Sequence, residues 1–563
     1  MLEGERSYQR GQENLVPSNN ASSIPESQVI PKAQEKPWYI QHFTKLLIGF
    51  GLGGGAIALI LPWMLWLFCG MSSGSSDQLR LHLLYVTGGI IAVLTLLQTN
   101  WKNQGDRLKI DADIKKNEQD SEKNERDHIR QVHAERRSRY TKAVEQLANE
   151  KASVRLGGIY TLVGLVDEWL ADDIIDPEER QKEGQVIINN LCSYIRSPFP
   201  LALKAEMFEG DSEPDNYKGD FSKDQAAFHE EQDVRRTVFV EMSKRSSTFT
   251  RDGIGKIIDT SLGTWSDFEF DFSRAPIFYP LSSLTIEKGN FSSAKFYSNA
   301  GFSGAAFNQN ADFSWAKFAQ NADFSRATFT QNADFYEAAF TQNADFYGAA
   351  FTQNADFNGA AFTQNANFNG AAFTQNAEFS GAAFTQNAEF SGAAFTQYAN
   401  FYGAAFTQNA NFNGATFTQN ADFRETAFSQ NANFIWAAFT QNADFSMATF
   451  TQNADFSRAT FTQNADFSRA TFSSSSPKFV ETSEVSERTF RARFATLPKN
   501  QRADSFTVSE GSFPILLGEA ELGDGIKHHI PVGTVLFDPS SEETSEPAKP
   551  LDKSNDGEEE KPE

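Results

Sequence analysis

Phenylalanine falls on a fixed lattice through the second half of the chain. It recurs at Phe291, Phe296, Phe302, Phe307, Phe313 and Phe318, and onward without a miss to Phe472, with gaps alternating between five and six residues. About 34 of the 53 phenylalanines lie on it. A representative unit is AAFTQNADFYG, Ala338 to Gly348, and alanine stands two residues before nearly every Phe. Alternation of small, polar and aromatic residues is a strand pattern with Ala and Phe on one side. Eleven residues also make three helical turns, but the remaining places hold Asn, Asp, Gly, Thr and Ser, which are poor in helix interiors. A unit that cannot bury its own aromatic must stack on its neighbours, so the lattice implies a solenoid.

The unit resembles the pentapeptide-repeat family, whose motif is a small residue, a polar residue, Leu or Phe, and two polar residues. Here ADFYG alternates with an extended AAFTQN. The resemblance implies an all-β right-handed quadrilateral β-helix, two 11-residue units per coil and about eight coils in a rod of ~40 Å. The extra Asn departs from the strict pentad, and a widened corner with positive φ is expected there. Gln331, Gln353 and Gln375 are expected to stack as a ladder.

The first half reads differently. Leu46 to Cys69 is uncharged and long enough to span a bilayer, and Leu81 to Thr99 is a second apolar run after a short polar turn. Together they predict a transmembrane hairpin, with Trp63, Trp66 and Trp101 as interfacial anchors. Lys32, Lys36 and Lys45 precede it; Lys102, Arg107, Lys109, Lys115 and Lys116 follow it; the loop has only Arg80. This asymmetry predicts a two-pass cell-membrane protein with both termini cytoplasmic. Gly49/Gly53 and Gly51/Gly55 have close-packing spacing. They suit contact with Gly88 and Gly89 of the second span, or a homodimer.

After the hairpin comes a charged helical stretch with many i,i+4 pairs, read as a solvated stalk in which His128 and His133 stay in solvent. Then RYTKAVEQL, VRLGGIYTL and IINNLCSYIR, followed by DVRRTVFVEMSKR from Asp233, resemble the cytoplasmic module of actinobacterial pentapeptide-repeat membrane proteins. The acidic insertion from Glu209 to Gln232 departs from that pattern and is expected to be a loop. Asp176–Pro177 predicts a capped helix start.

The organisation expected is a disordered tail over 1–44, a transmembrane hairpin over 45–100, a stalk over 101–138 and a helical juxtamembrane module over 139–265. The β-solenoid follows over 266–475, a C-terminal cap over 476–538 and a disordered acidic tail over 539–563. The helical module and Phe270–Leu284 are expected to cap the near end of the rod.

The net charge of −23 argues against direct nucleic-acid binding through phosphates. Cys69 and Cys192 make no zinc or redox spacing. No nucleotide loop, zinc-protease helix or nucleophile elbow occurs. Catalytic, cofactor and metal residues are therefore expected to be none. The carboxylates before Phe (Asp312, Asp323, Asp334, Asp345, Asp356) read as a solvated acidic face, because near-identical copies do not provide the two unlike environments of a catalytic pair. The function expected is a membrane-anchored, non-enzymatic scaffold with an unknown protein partner. The alternatives are a DNA-mimicking modulator of a DNA enzyme such as gyrase, and a surface adhesin.

Overall fold

The computed structural model describes residues 36–551, apart from 211, 252–256, 283, 484–486, 496–503 and 524. Most of the tail expected over 1–44, and residues 552–563, lie outside the described residues. The chain forms two bodies, divided between Val132 and His133.

In the first body, helix begins earlier than expected, with a turn at Trp38–Gln41, and continues as α1, Phe43–Cys69. The segment Gly49–Gly53, in which glycine alternates with Phe50 and Leu52, widens into a π turn. Gly70, with φ of 70°, ends α1 in the left-handed conformation. The second helix, α2, runs from Ser73 to Leu147 without a break. The expected boundaries at 100 and 138 are therefore not structural, because nothing in the intervening charged sequence stops a helix. Both α1 and α2 are long and apolar enough to cross a membrane. They do not meet through Gly88 and Gly89. A Cβ at Gly54 would lie 2.4 Å from Thr87, whereas Cβ atoms at Gly49, Gly51, Gly53, Gly55, Gly88 and Gly89 would meet nothing within 4 Å.

In the second body, α3 (Ala152–Leu170), α4 (Pro177–Arg196) and α5 (Phe221–Arg245) form a helical module. Asp176 caps α4 by accepting from the Glu178 N–H, with Pro177 at the first helical position. The acidic insertion is a loop only to Asp220, whose carboxylate caps α5 by accepting from Lys223 N; from there the chain is helical. The module is also not all helix, since Thr248–Arg251 and Ile257–Ser261 pair as an antiparallel ribbon. Nor is His133 free in solvent: its ring lies 5.1 Å from that of Trp169.

The lattice folds as a parallel β-solenoid of about nine turns. Each coil has four two-residue strands, giving faces 1 to 4 in chain order: Ala311–Asp312, Lys317–Phe318, Ala322–Asp323 and Thr328–Phe329. Each strand pairs in parallel with its copy one coil on, as Ala311 does with Ala333 and Phe329 with Phe351. Four phenylalanines per coil point inward and stack on their copies. Phe346 and Phe368 are 4.7 Å apart and 1° from coplanar, while neighbouring columns meet edge to face, as Phe335 and Phe346 do at 5.5 Å and 89°. Both arrangements are favoured by the ring quadrupole. The alanine two before each Phe, such as Ala338, is fully buried and leaves room for the rings.

Phe270–Leu284 is not a cap. Glu269–Asp271, Pro276–Ile277 and Thr285–Ile286 are strands of the first coil. The helical module alone closes that end, with Gln232 Nε2 donating to Phe278 O at 2.7 Å and Ser243 Oγ accepting from Thr285 N at 2.9 Å. At the far end, Arg493–Ala495 and Val535–Phe537 extend face 4 itself. The acidic tail is ordered further than expected: Lys549–Pro550 pairs with Leu517–Glu521, and Ala548 is buried. An open strand edge and a buried alanine outweigh the polar composition there.

Candidate interaction surface

What the rod presents follows from which residues its coil turns outward. On faces 1 and 3 the outward residue before Phe is mostly acidic or an amide; on faces 2 and 4 it is Ala or Thr, apart from Lys295 and Lys317 on the first coils of face 2. Faces 1 and 3 are opposite one another, as are 2 and 4, so acidic and neutral sides alternate.

The carboxylates are not a solvated face. They are half-buried, and most cap the following corner: Asp312 Oδ1 accepts from Ser314 N, Asp345 Oδ1 from Tyr347 N and Asp356 Oδ1 from Asn358 N, all at 2.8–2.9 Å. Asn367 and Asn433 accept the same bond, which explains why Asn replaces Asp freely. Glutamate is too long for it. At Glu378 and Glu389 the corner N–H groups of Ser380 and Ser391 turn to Asn358 and Asn369 one coil back, and the glutamates accept from Asn400 and Asn411. Burial, and then the stacked Asp312 and Asp356, push the Asp334 carboxyl above the usual range; burial does the same at Asp356. Asp422 goes the other way. Burial alone would raise it, but Arg424 at 2.6 Å and the Tyr398 hydroxyl at 2.8 Å hold it below.

The corners are of two kinds. After the acidic strand the chain turns tightly, with Ala349 N donating to Phe346 O at 3.0 Å and Gly348 at φ of 61°. This turn requires the left-handed region at its third residue. Central coils place glycine there, but the outer coils place Trp315, Arg326 and Glu337 on one side and Glu425, Trp436, Met447, Arg458 and Arg469 on the other, all at φ of 55–65°. The Thr-Gln-Asn corner, where positive φ was expected, has none, because its extra residue spreads the turn. Its side chains bind neighbouring coils, Asn the one after and Thr the one before: Asn321 Oδ1 accepts from Asn343 N at 3.2 Å, and Thr352 Oγ1 donates to Thr330 O at 2.8 Å. The ladders run through these residues rather than through Gln331, Gln353 and Gln375, which are exposed.

Large side chains at the strained corners make two exposed aromatic sites. Trp315, 54 % exposed, lies edge to face with Tyr336 at 5.8 Å. Trp436, 56 % exposed, is held by the Arg458 guanidinium at 5.2 Å, itself 3.2 Å above the Phe490 ring. Sequence reasoning missed both, although the exchange of Gly for Trp at a repeated position is visible in the sequence.

No constellation for covalent chemistry comes together among the described residues, and they contain no group of three or more metal-ligating side chains. Burial pushes the Cys192 thiol up to about 12, so it carries no thiolate at neutral pH. Arg235, 1 % exposed, binds Glu231 at 2.7 Å and the carbonyls of Ile195 and Ser197 at 2.8 and 3.0 Å. Glu231 also meets Arg155 at 3.0 Å. The Arg235–Glu231 pair lies within α5, and the other bonds tie α5 to α3 and to the end of α4.

No curated protein and no solved structure compared with the chain matches it. The family model described as "Pentapeptide repeats (9 copies)" does match, over residues 291–339, 335–383, 368–416, 390–435, 412–460 and 437–476. Those matches coincide with the four-faced coils, and the solenoid of this chain is therefore a run of pentapeptide repeats.

Proposed function

We propose that the protein is a non-catalytic, membrane-anchored scaffold whose rod binds protein partners. The observation that carries this reading is the use of the ladder carboxylates. They cap corners of the coil, and Asn does the same work at equivalent positions, so the acidic columns serve the rod's own structure. The surface left for partners is the pattern of flat neutral faces and projecting corner side chains. The two apolar helices supply the anchor, and the Lys and Arg on either side of the hairpin favour a cytoplasmic side for both termini. A Cβ at Gly49 and Gly53, or at Gly51 and Gly55, would meet nothing within 4 Å among the described residues, which leaves room there for a hairpin-to-hairpin dimer contact.

A supercoiling assay with DNA gyrase separates this from the DNA-mimic reading. Full-length protein in detergent is expected to leave supercoiling unchanged at low and high salt. Inhibition that weakens with salt and disappears in the Asp323→Asn, Asp345→Asn, Asp455→Asn variant would replace the scaffold with the mimic. The topology is tested separately by a reporter fused after Glu563, expected to be active in the cytoplasm; activity only outside the membrane would reverse it.

A further inference from the structure

We infer that the rod associates with a second copy of itself through face 4, with Trp436 as the anchor of the contact. The inference rests on the scaffold reading and names its partner.

Charge leaves few choices. Faces 1 and 3 carry columns of carboxylates, which would oppose like charge in a self-contact; face 2 is uncharged from Ala339 onward, but Lys295 and Lys317 project from its first coils and Glu337 and Glu425 stand at the tight corners along its border. Face 4 is different. From coil to coil its outward residues are Ala350, Ala372, Ala394, Thr416, Ala438 and Thr460, none of them charged. Alanine is a poor choice for an outward strand position, where a β-branched residue packs better against its neighbours. Its advantage is a surface flat enough for close approach. The corner bordering face 4 keeps the same design, with Gly348, Gly370, Gly392 and Gly414 at four successive coils.

The next corner on that border breaks the run. Trp436 takes the left-handed position that glycine holds in the four coils before it, at φ of 60°, and stays 56 % exposed. A tryptophan in that conformation is disfavoured relative to glycine, and water is a poor environment for its ring. The Arg458 guanidinium fixes its orientation. A rigid, exposed, pre-oriented tryptophan at the edge of a flat neutral surface has the character of an interface anchor.

The partner is a second copy because the two surfaces share one pitch. Each coil rises by the same step in both rods, so register is kept over all six coils. A strip of six coils at ~4.8 Å and roughly 20 Å wide gives about 600 Å² per partner, so about 1,200 Å² in total, at the lower edge of stable interfaces. Anchoring both copies in one bilayer would raise their effective concentration further.

Disulfide cross-linking of the full-length protein in lipid nanodiscs, with Cys69→Ser as background, tests this. Ala394 lies near the middle of the strip, so Ala394→Cys meets its own copy whether the rods run parallel or antiparallel. It is expected to form a disulfide dimer, whereas Ala383→Cys on face 2 is not. Both sites tolerate a larger residue, as native Lys317 at an equivalent outward position shows. Adding Trp436→Gly, which relieves the corner and cannot harm the fold by strain, is expected to lower the Ala394→Cys yield several-fold without lowering the melting temperature. No dimer at Ala394→Cys, equal yields at both sites, or a yield indifferent to Trp436→Gly would overturn the inference. Such a result with the supercoiling assay still silent would leave the scaffold reading intact.

Discussion

The helical module and the solenoid sit side by side in one body and are held together by opposite means. In the module, single groups have no substitute: Arg235 satisfies Glu231 and two carbonyls from a site that is 1 % exposed. In the solenoid every contact is a copy, so Phe346 stacks on Phe368 as Phe368 does on Phe390. Uniqueness makes a structure sensitive to one substitution. Repetition spreads the same burden over neighbours that touch only the next coil.

The largest expected effect lies on the unique side. Arg235→Ala removes one of the partners of the buried Glu231 carboxylate, leaving Arg155 and Tyr194, and uncaps the end of α4. It should destabilise the module by about 3 kcal/mol, because two buried carbonyls lose their donor and one ion pair is left to balance the buried charge. Chemical denaturation followed by Trp265 fluorescence would show it. A loss below about 1 kcal/mol would mean that Glu231 is satisfied by Arg155 and Tyr194 alone.

Inside the rod the sharpest local demand is at the tight corner. A methyl group added at Gly370 would meet open space, yet the residue has a φ of 64°, so Gly370→Ala isolates conformation from packing. It should cost about 1 kcal/mol, or about 2–4 °C in Tm, and Trp315→Gly should stabilise by a similar amount. Thermal melts of the two variants would check the pair; shifts of the same sign in both would contradict this account of the corner.

Removing a whole coil should do less harm to the fold than removing Arg235. Deleting Ala338 to Gly359 joins Glu337, at φ of 55°, to Ala360 in the register that Gly359 held at φ of 67°. The expected protein is one coil shorter, with a single cooperative melt and a proportionate fall in strand signal by circular dichroism. Loss of the melt would show that the coil is not the independent unit.

The same contrast explains what can be read in advance. The Phe lattice fixes period, faces and core because each copy votes for the same answer. The two apolar helices are legible from length and composition alone. The ends are not: Lys549–Pro550 becomes a strand only because Leu517–Glu521 offers an edge, and Phe270 belongs to a first coil whose spacing departs from the lattice. Asn tolerates positive φ and so draws the expectation of a left-handed corner, yet the residue that needs that region is the one two after Phe, where Gly recurs. The Asp ladders read as solvated because a carboxylate that caps a backbone N–H and one that faces solvent have the same sequence.

The smallest expected effect concerns those ladders, and its sign is opposite to that of an ordinary paired carboxylate. Burial and the flanking Asp312 and Asp356 raise the Asp334 carboxyl in the folded rod. A group raised on folding favours the folded state while protonated, and that contribution is lost as pH rises through its folded value. The wild-type rod therefore forgoes stability at neutral pH that it holds in acid. Asp334→Asn keeps the corner bond, since Asn367 and Asn433 make the same one, and removes the charge. Its melting temperature should exceed that of the wild type at pH 7, and the gap should close as pH falls through the raised folded value towards the ordinary carboxylate value, near ~4, below which the two should match. Asp422→Asn should behave inversely, because Arg424 and Tyr398 hold that carboxyl low: the variant should be less stable than wild type at pH 7, with the difference vanishing in acid as Asp422 is protonated. Melts of the two variants from about pH 3 to about pH 8, a range that brackets carboxylate titration, give curves that approach the wild type from opposite sides. Curves approaching from the same side would show that the ladder carboxylates are governed by solvent rather than by their neighbours in the stack.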